Sequence, residues 1–217
     1  MFYSFLISGF LRQFFRRLLC NFALAVAGTL CYGVAMPELS VCLTRDWDGL
    51  PVGSPLRCSL ACEAGALVFR AARAMQPRLH PTARAGAFTP GLWEYDVAEL
   101  FLAPEHRACY AELNLSPNGA WWGCVFTAPR QRAAHLELPE GCAAIGCVGA
   151  QGWSAELRVP WAGLRALGIE PERCRWAVAG VLRRADGSLR YQCSAPHGDI
   201  PPDFHRPDAW PLAALPS

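Results

Sequence analysis

Residues 37–217 predict an all-β domain, an antiparallel β-sandwich with one short helix. Two patterns and one composition argument point there. Short apolar runs alternate with polar residues at a period of two, as in half-buried strands. Turn residues interrupt these runs about every eight to twelve residues, the spacing of sandwich strands. With 53% hydrophobic and 18% charged residues in 217, the chain has the means to bury a core, and a largely disordered state is excluded.

The elements follow in order. Leu39, Val41 and Leu43 alternate with Ser40, Cys42 and Thr44 in a first strand. Leu56–Ala61 and Leu67–Ala71 form a pair about the Glu63-Ala64-Gly65 turn, and residues 74–91 read as a long loop. Trp93–Leu102 predicts a strand, followed by Ala108–Leu115. Ser116-Pro117-Asn118-Gly119 is a turn with asparagine and glycine where positive φ is needed, and Ala120–Phe126 closes the hairpin. His135–Leu138, Ala143–Val148 and Ala155–Val159 are further strands. Pro160-Trp161 opens a helix over Ala162–Leu167, stopped by Gly168. Trp176–Leu182 and Leu189–Cys193 flank the Ala185-Asp186-Gly187 turn. The tail from Pro196, with six prolines, is extended or looped.

The first 36 residues differ in kind. All 18 prolines lie at Pro37 or later, and Arg12, Arg16 and Arg17 are the only charges before Met36. Leu18–Ala35 is an uncharged apolar run behind Arg16 and Arg17, the order of a signal peptide or marginal membrane anchor. Gly33 and Ala35 suit cleavage before Met36. Translation from Met36 is the alternative, which would leave the domain in the cytoplasm. Membrane association through residues 18–35 and export are thus expectations of this segment alone. Nine cysteines remain from Cys42 onward, an odd number set in apolar runs, which favours a reducing compartment.

Composition also limits chemistry. Every one of the 20 basic side chains is arginine, which excludes lysine Schiff-base and phosphate-loop chemistry. From Met36 on, 17 arginines face 18 acids, a balance with no electrostatic footprint for nucleic acid. The loose pairs Cys58/Cys62, Cys142/Cys147 and His106/Cys109 lack zinc spacing, so no metal site is expected.

The informative block is Trp93–Asn114. Strand parity places Trp93, Tyr95, Val97, Glu99 and Phe101 on one face, and Tyr110, Glu112 and Asn114 on one face of the partner strand. A carboxylate among aromatics must be hydrogen-bonded or serve a ligand. Aromatic rings beside carboxylates and an amide suit a sugar, whose ring stacks while its hydroxyls find partners. A core tryptophan rimmed by solvated acids is the alternative.

The runs GLWEYDVAELFLAP (Gly91–Pro104) and YAELNLSPNGAWW (Tyr110–Trp122) resemble the family 9 carbohydrate-binding modules and, more closely, the DOMON-like domains related to them. SAPHGDIPPDFHRPDAW (Ser194–Trp210) resembles the closing segment of that group. The resemblance covers about residues 38–213. It implies a DOMON-like sandwich that grips a sugar chain end between two rings without catalysis and without a cofactor. Residue by residue, Trp93 would stack, Glu99 and Asn114 would hydrogen-bond the hydroxyls, and Phe204 would stand where the second tryptophan does. Glu112 replaces an arginine of sugar-binding members, and Arg183 is the late-strand side chain able to hydrogen-bond. The implied partner is a saccharide, as a chain end or a small sugar.

Three other functions compete. Two of Glu94, Asp96, Glu99 and Glu112 would need to flank a scissile bond about 5–10 Å apart to hydrolyse a glycoside. Haem, as in some DOMON domains, would need Met75 and His80 as axial ligands. A ligand-less interaction scaffold would use Trp121-Trp122, of which one tryptophan faces the core and the other outward.

Overall fold

Tight turns and alternation build the fold from antiparallel neighbours. The computed structural model describes residues 38–106, 109–134, 138, 140–170, 172–184, 186–195 and 201–215. These belong to the unit Met36–Ser217. The N-terminal apolar segment, residues 135–137 of one expected strand, and His197 lie outside them.

The first sheet contains β1 (Glu38–Arg45), β2 (Pro51–Glu63), β3 (Ala66–Arg73), β8 (Ala143–Gly149) and β9 (Gly152–Pro160). Its order is β1-β2-β3-β9-β8. The second contains β4 (Val97–Pro104), β5 (Tyr110–Leu115), β6 (Trp121–Ala128), β7 (Gln131–Arg132), β10 (Cys174–Arg183), β11 (Leu189–Cys193) and β12 (Leu212–Ala213). Its order is β11-β10-β4-β5-β6-β7, with β12 beside the start of β10. Every pairing between these strands is antiparallel. The helix α1 (Trp161–Ala166) follows Pro160 and ends before Gly168, which takes φ 79°.

The core lies between the sheets. Leu56, Cys58 and Leu60 of β2, Leu67 and Phe69 of β3, and Leu157 and Val159 of β9 meet Leu100, Leu102, Leu113 and Leu115 of the second sheet. Each large side chain so buried contributes roughly 1.5–3 kcal/mol. The strand registers follow from this: a slip of one residue would carry every leucine to the opposite face.

The sandwich as a whole fits the expected class, and two local expectations change. Trp93–Leu102 is not one strand. Gly91 adopts φ 81°, a one-turn 3-10 helix covers Leu92–Glu94, and the strand begins at Val97. Leu92 is buried and anchors the turn, a tertiary pull that outweighs the local alternation. In the β5–β6 turn only Gly119 takes positive φ; Asn118 instead accepts the Ala120 N–H with its side chain. Gly119 is required for a second reason. A Cβ there would lie 2.4 Å from backbone atoms of Ile145 and Gly146 in β8, so the hairpin tip presses directly on the first sheet.

The outer faces of the two sheets differ. On the first, Arg70 bonds Glu156 at 2.7 Å and Glu63 at 2.6 Å, while Arg158 reaches Glu63 and Glu156. On the second, β4 and β5 are buried along their whole length, because loop and tail segments cover that face. Among the described residues, Cys42, Cys58, Cys62, Cys109, Cys124, Cys147, Cys174 and Cys193 are thiols outside any disulfide.

Candidate functional site

The outer face of the second sheet is assembled by register. Ala179, Glu99, Asn114 and Trp122 lie in one row across β10, β4, β5 and β6. Ala177, Phe101, Glu112 and Cys124 form the next row. Glu99, Glu112 and Asn114 therefore sit at adjacent positions, as strand parity predicts. They are 3%, 5% and 0% exposed. The alanines of β10 leave the floor low beside them.

Aromatic side chains stand around this polar floor. Trp93 packs edge-on against Trp122 at 4.9 Å between ring centroids. Phe204 comes from the tail and meets Trp47, Tyr191 and Phe101 at 5.7, 6.1 and 6.3 Å. Trp93, Trp122, Tyr191 and Phe204 all border one apolar cluster with Leu92 and Val181. Of the Trp121-Trp122 pair, Trp121 packs toward the inter-sheet core and Trp122 joins this face.

Asp96 and Arg183 hold the Trp93 turn without reaching the floor. Asp96 is buried and accepts the backbone N–H groups of Arg78 and Arg183. Burial raises its carboxyl above the usual range, though these hydrogen bonds and Arg73 oppose the shift. The Arg183 guanidinium donates to the carbonyls of Glu94 and Gly187 and lies 5.6 Å from the Tyr95 ring centroid. Its donors are thus committed to main chain, and Glu94 itself is exposed.

A second polar chain approaches from the tail. The Arg130 N–H donates to the Tyr110 hydroxyl at 3.1 Å, and that hydroxyl lies 2.7 Å from His205 Nδ1. His205 Nε2 lies 3.8 Å from Glu112 Oε2. Burial first, then the charge of Arg130, lowers His205 to about 4, so it is neutral at pH 7 and gives Glu112 no counter-charge. Burial likewise pushes the Tyr110 hydroxyl up to about 12.

The carboxyls respond to the same dryness. Burial pushes Glu112 up to about 7, against the Asn114 hydrogen bond and the charges of Arg132 and Arg130. Glu99 is raised well above the ordinary range by burial and by the neighbouring charge of Glu112. Asn114 donates Nδ2–H to Glu112 Oε1 at 3.1 Å, leaving its buried Oδ1 with no partner. Among the described residues no hydrogen bond or ion pair ends on the Glu99 carboxyl. A buried acceptor left open costs about 1–3 kcal/mol, so Asn114 Oδ1 marks a place for a donor.

The structure brings Trp93, Glu99, Asn114, Glu112 and Phe204 around one face and sets Arg183 at its edge. Sequence reasoning did not place Trp122, Tyr191, Trp47 or Trp210 there. Met75 is exposed, and His80 packs on Tyr95 and approaches Thr82. Among the described residues no group of three or more His, Cys, Asp or Glu is arranged to hold a metal ion.

Comparison with known proteins gives the following. No family model matches the chain. The UPF0462 protein C4orf33 homolog of Mus musculus is 30% identical over 117 residues, 53% of this chain and 59% of the mouse protein. The matched stretch thus spans little more than half of that relative. Among solved structures, a candidate carbohydrate-binding protein from Bacteroides uniformis superposes with a TM-score of 0.65 at 12% identity, over 83% of this chain and 86% of the other. A family 9 carbohydrate-binding module from Caldicellulosiruptor kristjanssonii, in complex with cellotriose, gives 0.53 at 10% identity over 87% and 90%. Its glucose complex gives 0.53 at 11% identity over 87% and 91%. At these identities the likeness concerns fold: residues 38–215 form a β-sandwich of the family 9 carbohydrate-binding module kind.

Proposed function

We propose that this domain binds a saccharide, without catalysis, on the outer face of its second sheet. The observation that carries the reading is the unpartnered Asn114 Oδ1 beside the buried Glu99 carboxyl, with the Trp93–Trp122 and Phe204–Tyr191 ring pairs bordering the same face. A pyranose has apolar faces for such walls and hydroxyl donors for such acceptors. The glucose and cellotriose complexes of the structural neighbours support this choice of ligand class. In this reading Trp93 stacks, Glu99 and Asn114 accept hydroxyls, Glu112 orients the Asn114 amide, and Phe204 closes the site. Arg183 acts by holding the Trp93 turn. The floor is buried, so an entering sugar displaces Phe204 or its neighbours. Residues 18–35 would export or tether the domain.

The test is a titration of the full chain with glucose, cellobiose and xylobiose, read by tryptophan fluorescence, beside Trp93→Ala. A saturable change that the variant loses supports the reading. A folded parent with no response up to millimolar sugar would replace it with a scaffold whose partner is another protein.

A further inference from the structure

The polar floor of the candidate site is made of two carboxyls and an amide. Glu99 and Glu112 contribute two carboxyls, and Asn114 presents its unpartnered Oδ1 after spending Nδ2–H on Glu112. Burial favours protons on both carboxyls, and His205, whose Nε2 lies 3.8 Å from Glu112, is neutral, so neither group brings a positive charge to the floor. Three of the surrounding cations are occupied elsewhere. Arg130 pairs with Asp203 at 2.9 Å. The Arg132 guanidinium lies 5.1 Å over the Trp122 ring and lowers Glu112 only from a distance. Arg183 is held by the Glu94 and Gly187 carbonyls. Arg206 acts on Cys193, and nothing positive acts on Glu99. Facing Glu99 and Glu112 from the other strands are Ala177, Ala179, Cys193 and Cys124, none of which supplies a cation.

A neutral sugar would leave the buried carboxyls protonated, because it brings no charge to draw their protons off. A ligand with a positive nitrogen supplies that charge. Its N–H groups fill open acceptors, its charge lets the buried carboxyls ionise, and the indole faces of Trp93 and Trp122 favour it further. Resting on the saccharide reading above, we propose that the preferred ligand is a sugar bearing a free, protonated amino group, with the ammonium seated over Glu99, Glu112 and Asn114.

The test is calorimetric titration of the full chain at pH 7 with glucosamine, glucose, N-acetylglucosamine and glucuronate, repeated with Glu99→Gln and Glu112→Gln. Glutamine keeps the shape, and a thermal melt of each variant checks folding. The expected result is glucosamine binding about tenfold or more tighter than glucose. Acetylation should abolish that advantage, and either variant should bring the ratio of glucosamine to glucose affinity close to one. Glucose or N-acetylglucosamine binding as tightly as glucosamine would overturn the amino-sugar proposal and leave the saccharide reading standing. Glucuronate binding tightest would also overturn it, and would point to Arg206, whose buried Nη1 has no partner. Failure of all four sugars to bind would overturn both.

Discussion

The two outer faces of this sandwich carry glutamates in opposite circumstances, a half-buried Glu63 on the first and a buried Glu99 on the second. On the first sheet, burial works against ionisation of Glu63, but the hydrogen bonds and charges of Arg70 and Arg158 outweigh it and hold the carboxyl below its usual range. On the second sheet, Glu99 has burial and the Glu112 charge and no arginine, and its carboxyl is pushed up. The same residue type is clamped in one place and left open in the other. A clamped carboxylate is explained by the fold alone. An open one among aromatic rings is what a ligand site would need, and that contrast is why we propose the second face as the binding face.

The sharpest way to break the contrast is to remove the clamp. Arg70→Met leaves Glu156, 3% exposed, and Glu63 to share Arg158. Stability in urea should fall by about 2 kcal/mol, a figure reduced for the partial exposure of Arg70. Part of that loss should vanish in acid: Glu63, with its lowered pKa, contributes stability that is present above the ordinary glutamate range and lost as pH falls through it.

The open face should show the reverse pH dependence. A raised pKa means that the native state favours the protonated carboxyl. The Glu99 and Glu112 contributions are therefore fully present below about 4.5 and lost as pH rises, through about 7 for Glu112. Thermal melts should show the parent more stable near pH 5 than at pH 8. Glu99→Gln should raise stability at pH 8 and change little at pH 5. Equal gains at both pH values would show that burial of the side chain, not its charge, sets the effect.

The smallest effect concerns support. Arg183→Ala removes hydrogen bonds to Glu94 and Gly187 and should cost about 1 kcal/mol. It should also weaken saccharide binding several-fold by loosening Trp93, although Arg183 does not face the floor. Unchanged binding would show that Leu92 and Asp96 suffice to hold the turn.

Much of this was legible in the chain. Alternation at Leu39–Leu43, Leu56–Ala61 and Leu189–Cys193 marked strands because a period of two is a local property. The same parity put Glu99, Glu112 and Asn114 on one covered face. The Leu92–Glu94 turn was hidden because Gly91 and the burial of Leu92 override an apparently continuous strand. Trp122, Tyr191, His205 and Trp210 were out of reach for another reason. Which segment covers a sheet face depends on pairings between residues about a hundred positions apart, such as Tyr110 with His205, and no spacing in the sequence reports them. The occupation of Arg183 by main-chain carbonyls was hidden in the same way.

The most direct test of a binding face on the second sheet is nitrogen-edited NMR of the full chain, titrated with glucose and with glucosamine. The account predicts saturable shifts at the Trp93 and Trp122 indole N–H groups and the Asn114 side-chain amide, with the Arg70 and Arg158 signals still. Shifts centred on Arg70 and Arg158, or none at Trp93 and Asn114 at saturating sugar, would contradict it.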